Sequence, residues 1–296
     1  MLLLSGSLCA YSQSTGSVDS RASAYATKTL PTNALTQDAT LSPDALVRLA
    51  VDNALTTSAQ PQTMRYRFTK VTEHGTFVKD VIETQQGDVS RLITINGKPL
   101  GTEQEAAEKQ RLEQLLGNPD EQKHHYAHEL ETERQINRMM REIPDAFVFH
   151  RVEDLSDQHE DQHQKQGSLI HLAFVPNPKF SPPDFASRIF AGMAGEVWID
   201  PQTERMVRLK AHLNHSIHWG FGLLATFAQG GTVDLYNQQV LPNYWTITRL
   251  KLDLTGTALL FKSIQIHLTE IQDQFAPLPS SVDWHSATQM LLDKRS

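Results

Sequence analysis

Gly195-Glu196-Val197-Trp198-Ile199-Asp200, followed after four turn residues by Arg205-Met206-Val207-Arg208-Leu209-Lys210-Ala211-His212-Leu213, decides the fold class. In the second run Val207, Leu209, Ala211 and Leu213 alternate with Met206, Arg208, Lys210 and His212. A period of two marks a strand with one face on a core. The alternation returns in Leu250, Leu252 and Leu254 against Arg249, Lys251 and Asp253. Beyond Thr255-Gly256 it returns again in Ile264, Ile266 and Leu268 against Gln265, His267 and Thr269. One-faced strands joined by short polar turns form an antiparallel sheet, so residues 195–275 are predicted to be a wide meander with one apolar face.

Upstream of the meander, residues 146–152 and 168–175 read as strands joined by a polar loop over 153–167. Pro176, Pro178, Pro182 and Pro183 then forbid regular pairing. Before them stand two charged helices, 103–116 and 120–143. Gly117-Asn118-Pro119 separates them, Thr102 and Glu105 are spaced as a capping box, and Pro144 is the stop. Their apolar positions are sparse, which predicts an inserted helical hairpin, 102–143, laying one narrow stripe on the sheet. Further upstream, strands are expected at 64–68, 76–84 and 89–95. Asn96-Gly97 is the strongest hairpin signal, although no return strand is visible after it. A first helix opens with Ser42 as N-cap and Pro43 at the first helical position. Residues 13–41 read as a disordered linker with too few apolar groups to order, and 276–296 as a C-terminal tail. The sheet domain is thus placed at 42–275.

The first twelve residues, an apolar run ending in small residues near Ala10-Tyr11-Ser12, read as a signal peptide without its usual basic start. Cleavage there would remove Cys9, the single cysteine of the chain, and with it disulfides and thiol chemistry. Lipid anchoring through Cys9 is the weaker alternative, because Leu8 stands where a lipobox wants a small residue. No stretch reaches the ~18 uninterrupted apolar residues of a membrane span, so the mature chain is expected to be soluble. A net charge of -7 without a basic cluster argues against nucleic acid as a partner.

No Gly-x-Ser-x-Gly elbow, P-loop or dinucleotide-binding turn is present, and no cofactor is implied. The 13 histidines include two groups with arguable metal-ligand spacing. His124 and His128, beside His125 and Glu129, lie four apart on a predicted helix and match no zincin order. His212, His215 and His218 converge only if the chain bends near Gly220 and Gly222. His159 and His163 read as loop filler. Trp219-Gly220-Phe221-Gly222-Leu223-Leu224 is apolar where turn residues are expected, and reads as a buried corner or as the lip of an apolar pocket.

Gly195-Glu196-Val197-Trp198-Ile199-Asp200, with Thr203 and the return Arg205-Met206-Val207-Arg208-Leu209, resembles the Gly-x-x-Trp-Ile-Asp strand of the LolA/LolB-like lipoprotein-carrier superfamily, which includes the periplasmic sensor RseB. Ile93-Thr94-Ile95-Asn96-Gly97-Lys98-Pro99-Leu100 and Gly220-Phe221-Gly222-Leu223-Leu224 also resemble an uncharacterised family of secreted bacterial proteins. The resemblance covers residues 42–275. It implies an α+β fold with a large curved antiparallel β-sheet, an incomplete barrel, whose concave face is covered by helices and can hold acyl chains.

The leading expectation is therefore a periplasmic or secreted bacterial protein, not an enzyme. It would bind a lipid, a lipoprotein acyl chain or another apolar ligand against Leu209, Leu213, Trp219, Phe221, Leu250, Leu252, Ile264 and Ile266. The alternative is an envelope interaction or scaffold protein with a filled core, contacting an envelope protein through the charged helices. A metal-dependent hydrolase built on His212, His215 and His218 comes third.

Overall fold

The structure, a computed structural model, describes residues 41–57, 63–152, 169–184, 186–219, 225–258 and 262–293. In chain order these form α1 (Pro43–Thr57), β1 (Met64–Thr72), β2 (Gly75–Thr84), β3 (Gly87–Ile95), β4 (Lys98–Pro99), α2 (Thr102–Gly117) and α3 (Pro119–Ala146). Next come β5 (Phe147–Arg151), β6 (Ile170–Pro176), a short 3-10 helix (Ala186–Gly192), β7 (Met193–Asp200), β8 (Arg205–Leu213), β9 (Ile217–Trp219) and β10 (Ala225–Phe227). The chain ends with β11 (Thr232–Leu241), β12 (Tyr244–Ala258), β13 (Lys262–Pro277) and α4 (Trp284–Leu292).

All 13 strands belong to one sheet, ordered β4-β3-β2-β1-β13-β12-β11-β8-β7-β6-β5, with β10 on β12 and β9 on β10. Every pairing is antiparallel. The α+β class and the open antiparallel sheet are as predicted. Turn chemistry sets several returns: Asn96 and Gly97 both adopt positive φ, 54° and 74°, as a two-residue hairpin requires. The return strand that seemed absent is β4. Its two residues are too few to show an alternation, but they pair with Thr94 and Ile95.

The sheet is strongly curved. From β3 to β5 the strand order contains nine steps, about 43 Å if laid flat. One helix bridges the same two strands, since Glu129 of α3 accepts the Asp88 N–H of β3 and the helix then runs directly into β5. From Glu129 to Ala146 it supplies only about 26 Å of rise. Tyr244 likewise donates its hydroxyl to the Glu83 carboxylate at 3.2 Å, although β1 and β13 lie between their strands. Two glycines serve the bends: a Cβ at Gly195 or Gly256 would run into the backbone oxygen of Lys210 or Thr226 on the neighbouring strand.

On the inner face α1 lays Leu46, Val47, Ala50 and Val51 on Phe147, Phe149, Leu172, Phe174 and Val197. Ser42 caps it by accepting the Ala45 N–H. α2 runs along the β3 edge, where Glu108 accepts the Leu92 N–H at 2.8 Å and Arg111 donates to the Ser90 carbonyl at 2.5 Å. An edge strand whose backbone groups are taken up in this way cannot recruit another chain. Its cap lies one residue earlier than expected, with Gly101 N–H donating to Gln104 Oε1 at 3.0 Å. Pro144 does not stop α3. It falls in the last turn, and the helix continues to Ala146.

The segment read as a tail, 276–296, carries the end of β13 and all of α4. Trp284, Ala287 and Leu291 of α4 close a cluster with Ile82, Val89 and Leu112. Ile82 points away from its neighbour Val81, which faces inward with Met64, Tyr66 and Tyr244. Helices therefore lie on both faces of the sheet, α1 on the inner, as expected of the concave side, and α4 on the outer.

Candidate functional site

The strand registers align the inner face into rows. One row runs Val197, Leu209, Leu235, Leu250, Glu270, Lys70, Phe77 across β7, β8, β11, β12, β13, β1 and β2. The next contains Ala211, Val233, Leu252 and Leu268. Parallel to these, Leu254 faces Ile266 and Gly256 faces Ile264. The six described apolar candidates, Leu209, Leu213, Leu250, Leu252, Ile264 and Ile266, thus share this face, as their alternation predicted.

They are not packed alike. Leu213 and Leu252 are buried in a closed cluster with Ile217, Leu254 and Leu268, and Ile266 leans against it. Leu209 borders the cluster under α1. Leu235 and Leu250, and Ile264 toward the strand ends, stay half-buried. Among the described residues Leu235 and Leu250 join none of the apolar clusters. Trp219 ends β9, opposite Ala225, whereas Phe221 lies outside the described residues.

Where the leucine row meets β13 it turns polar. Lys70 Nζ lies 3.3 Å from Glu270 Oε1, with the side chains 27% and 14% exposed. Burial pushes the Glu270 carboxyl up from its ordinary range, against the pull of Lys70 and Lys79. Lys79, opposite Phe68 on β2, shares this face. Burial pushes its ammonium down, and nearby Arg111 adds to the shift while Glu108 opposes it. Among the described residues no carboxylate lies within ion-pair distance of Lys79. The sequence pattern concealed these charges, because Lys70, Lys79 and Glu270 occupy core-facing positions where an alternation is expected to be apolar.

The histidine candidates are dispersed. His212, His215 and His218 are all exposed, and His218 Nδ1 lies 3.1 Å from Thr226 Oγ1. On α3, His124 and His128 are exposed and His125 lies 3.1 Å from Glu129. Among the described residues no group of three or more His, Cys, Asp or Glu is placed to hold a metal ion. The segment read as a signal peptide, with Cys9, the segment read as a linker up to residue 40, and His159 and His163 lie outside the described residues.

Sequence reading also missed a hollow of ≈ 400 Å³ lined by Gln85, Gln86, Tyr126, Ser280, Ser281, Val282 and Asp283. It is assembled from the β2–β3 turn, α3 and the approach to α4, three segments with no common periodic signal. No known protein family, curated protein or solved structure matches the chain.

Proposed function

We propose that this protein binds an apolar ligand, a lipid or the acyl chain of a lipoprotein, on the inner face of its open sheet, in the bacterial periplasm or outside the cell, and that it catalyses no reaction on it. One observation carries the reading: Leu209, Leu235 and Leu250 form a continuous row at the centre of the sheet, on the helix-covered side, and none is fully buried. Full burial of a leucine is worth about 1.5–3 kcal/mol. A filled core would have claimed that free energy, whereas a site for an acyl chain leaves it for the ligand. The test is native mass spectrometry of protein purified from its own envelope fraction, followed by organic extraction. A lipid-sized adduct released by solvent is expected. Protein that carries no adduct and takes up no fatty-acid probe would end the reading.

The scaffold alternative draws on a different observation. The exposed faces of α2 and α3 are rich in charge, with pairs such as Lys109–Glu113 and Arg134–Glu131 standing in solvent. Cross-linking from these helices to a defined envelope protein, in a chain that binds no lipid, would favour it.

A further inference from the structure

Resting on that reading, we infer that the ligand is a single-chain anionic amphiphile whose acidic head sits at Lys79 and Lys70 and whose chain lies along Leu250, Leu235 and Leu209. The row has the asymmetry such a molecule needs. From β1 to β8 it crosses four strand-to-strand steps, about 19 Å before curvature shortens it. It is apolar over its β12, β11 and β8 positions and charged over β13 and β1. Beyond Leu209 it ends at Val197, which is buried under α1. A chain entering from the charged end therefore finds a closed apolar stop.

Charge complementarity selects the head. Lys70, Lys79 and Glu270 together carry one excess positive charge, while Glu83, the other carboxylate on this face of β2, lies four residues along the strand from Lys79 and is held by the Tyr244 hydroxyl. Arg111 and Glu108, which also act on Lys79, balance each other through their own ion pair. A half-buried ammonium with no carboxylate partner is costly, and an acidic head would supply the missing charge together with charge-assisted hydrogen bonds. Burial disfavours the charged form of Lys79 in the empty protein, so the head would relieve a penalty already present. A cationic or zwitterionic head would place a further positive charge beside two lysines. A protein segment is disfavoured as occupant because Leu235 and Leu250 are already half-buried, so the apolar surface they still offer is narrow.

The test compares ligands with the same tail on the full-length mature protein. Hexadecanoate, hexadecanol and hexadecyltrimethylammonium are each titrated against a bound neutral naphthylamine probe. Hexadecanoate should displace the probe at a concentration lower by about tenfold or more than hexadecanol. Lys79→Met should abolish that preference while leaving hexadecanol unchanged, and Lys79→Arg should keep it. Equal displacement by acid and alcohol overturns the inference about the head and leaves the apolar site standing. Failure to bind the probe or any of the three overturns both. The acid-to-alcohol ratio of the unaltered protein decides the matter even if a Lys79 variant fails to fold.

Discussion

Trp198 stacks on His171 across the β6–β7 pair, ring centroids 4.6 Å apart and planes inclined by 13°. The stack begins a ladder on the outer face. His171, Trp198, Arg208, Tyr236 and Arg249 occupy one register row on five successive strands. The Arg208 guanidinium lies 5.1 Å from the Trp198 ring and 4.6 Å from Tyr236, and Asp234 holds it at 3.2 Å. Trp198 is only 5% exposed although it points away from α1. Trp198→Ala should therefore cost about 3–5 kcal/mol, and Arg208→Met roughly 0.5–2 kcal/mol. Urea denaturation of both variants checks this; a Trp198→Ala protein as stable as its parent would show that the ladder contributes nothing.

Tyr244→Phe removes one donor from Glu83, which is 5% exposed. A buried carboxylate deprived of a hydrogen bond costs about 1–3 kcal/mol. The shape of the ring is kept, so the loss should appear in the denaturation midpoint without a change of slope.

Asn96 combines a positive φ of 54° with two bonds to Thr76: its N–H donates to the Thr76 carbonyl and its Oδ1 accepts the Thr76 N–H. Proline can meet neither requirement. Asn96→Pro should destabilise by about 3 kcal/mol or more, whereas Asn96→Gly, which keeps the turn and loses only the side-chain bond, should cost about 1 kcal/mol. Equal melting temperatures for the two variants would contradict the turn geometry.

The inner charges predict opposite pH trends. Glu270 has a folded pKa above its ordinary 4.5, so the native state holds its proton more tightly than the unfolded chain. Its contribution to stability is complete below that ordinary value and is lost as pH rises through the folded pKa. Lys79, pushed below 10.5, behaves in reverse: its contribution is present above that value and lost as pH falls through the folded pKa. Glu270→Gln should flatten the weakly acidic part of the stability profile and Lys79→Met the alkaline part. Profiles parallel to that of the parent would remove the claim that these groups are desolvated.

Two leucines separated by one residue differ in how completely they are packed. Leu252 is 7% exposed within its cluster, so Leu252→Trp should overpack the interior and cost about 1–3 kcal/mol. Leu250 is half-buried and, among the described residues, joins no apolar cluster, so Leu250→Trp should leave the melting temperature nearly unchanged while reducing uptake of a fatty-acid probe. Equal losses at both positions would mean that the whole face is core.

The alternation of Leu250, Leu252 and Leu254, and of Ile264, Ile266 and Leu268, revealed which residues face inward, because side-chain direction follows from the strand period alone. Which of them border a site was not legible: Leu250 and Leu252 have identical sequence signatures, and only the packing of neighbouring strands distinguishes them. Strand order was equally hidden, since β1 pairs with β13 and β8 with β11 across long separations that no local pattern encodes. α4 did leave a trace, with Trp284, Ala287, Thr288 and Leu291 at helical spacing. That trace is faint because nine residues behind Pro277 and Pro279 give a weak periodic signal.

The position of β13 has a consequence for how the chain acquires its structure. It comes last among the described strands in chain order, yet it sits in the middle of the sheet between β1 and β12. Until it arrives, the β1–β4 meander has no strand bond to the rest of the sheet. Joining the two parts of the sheet must therefore wait for β13, and closing so large a loop makes the step slow.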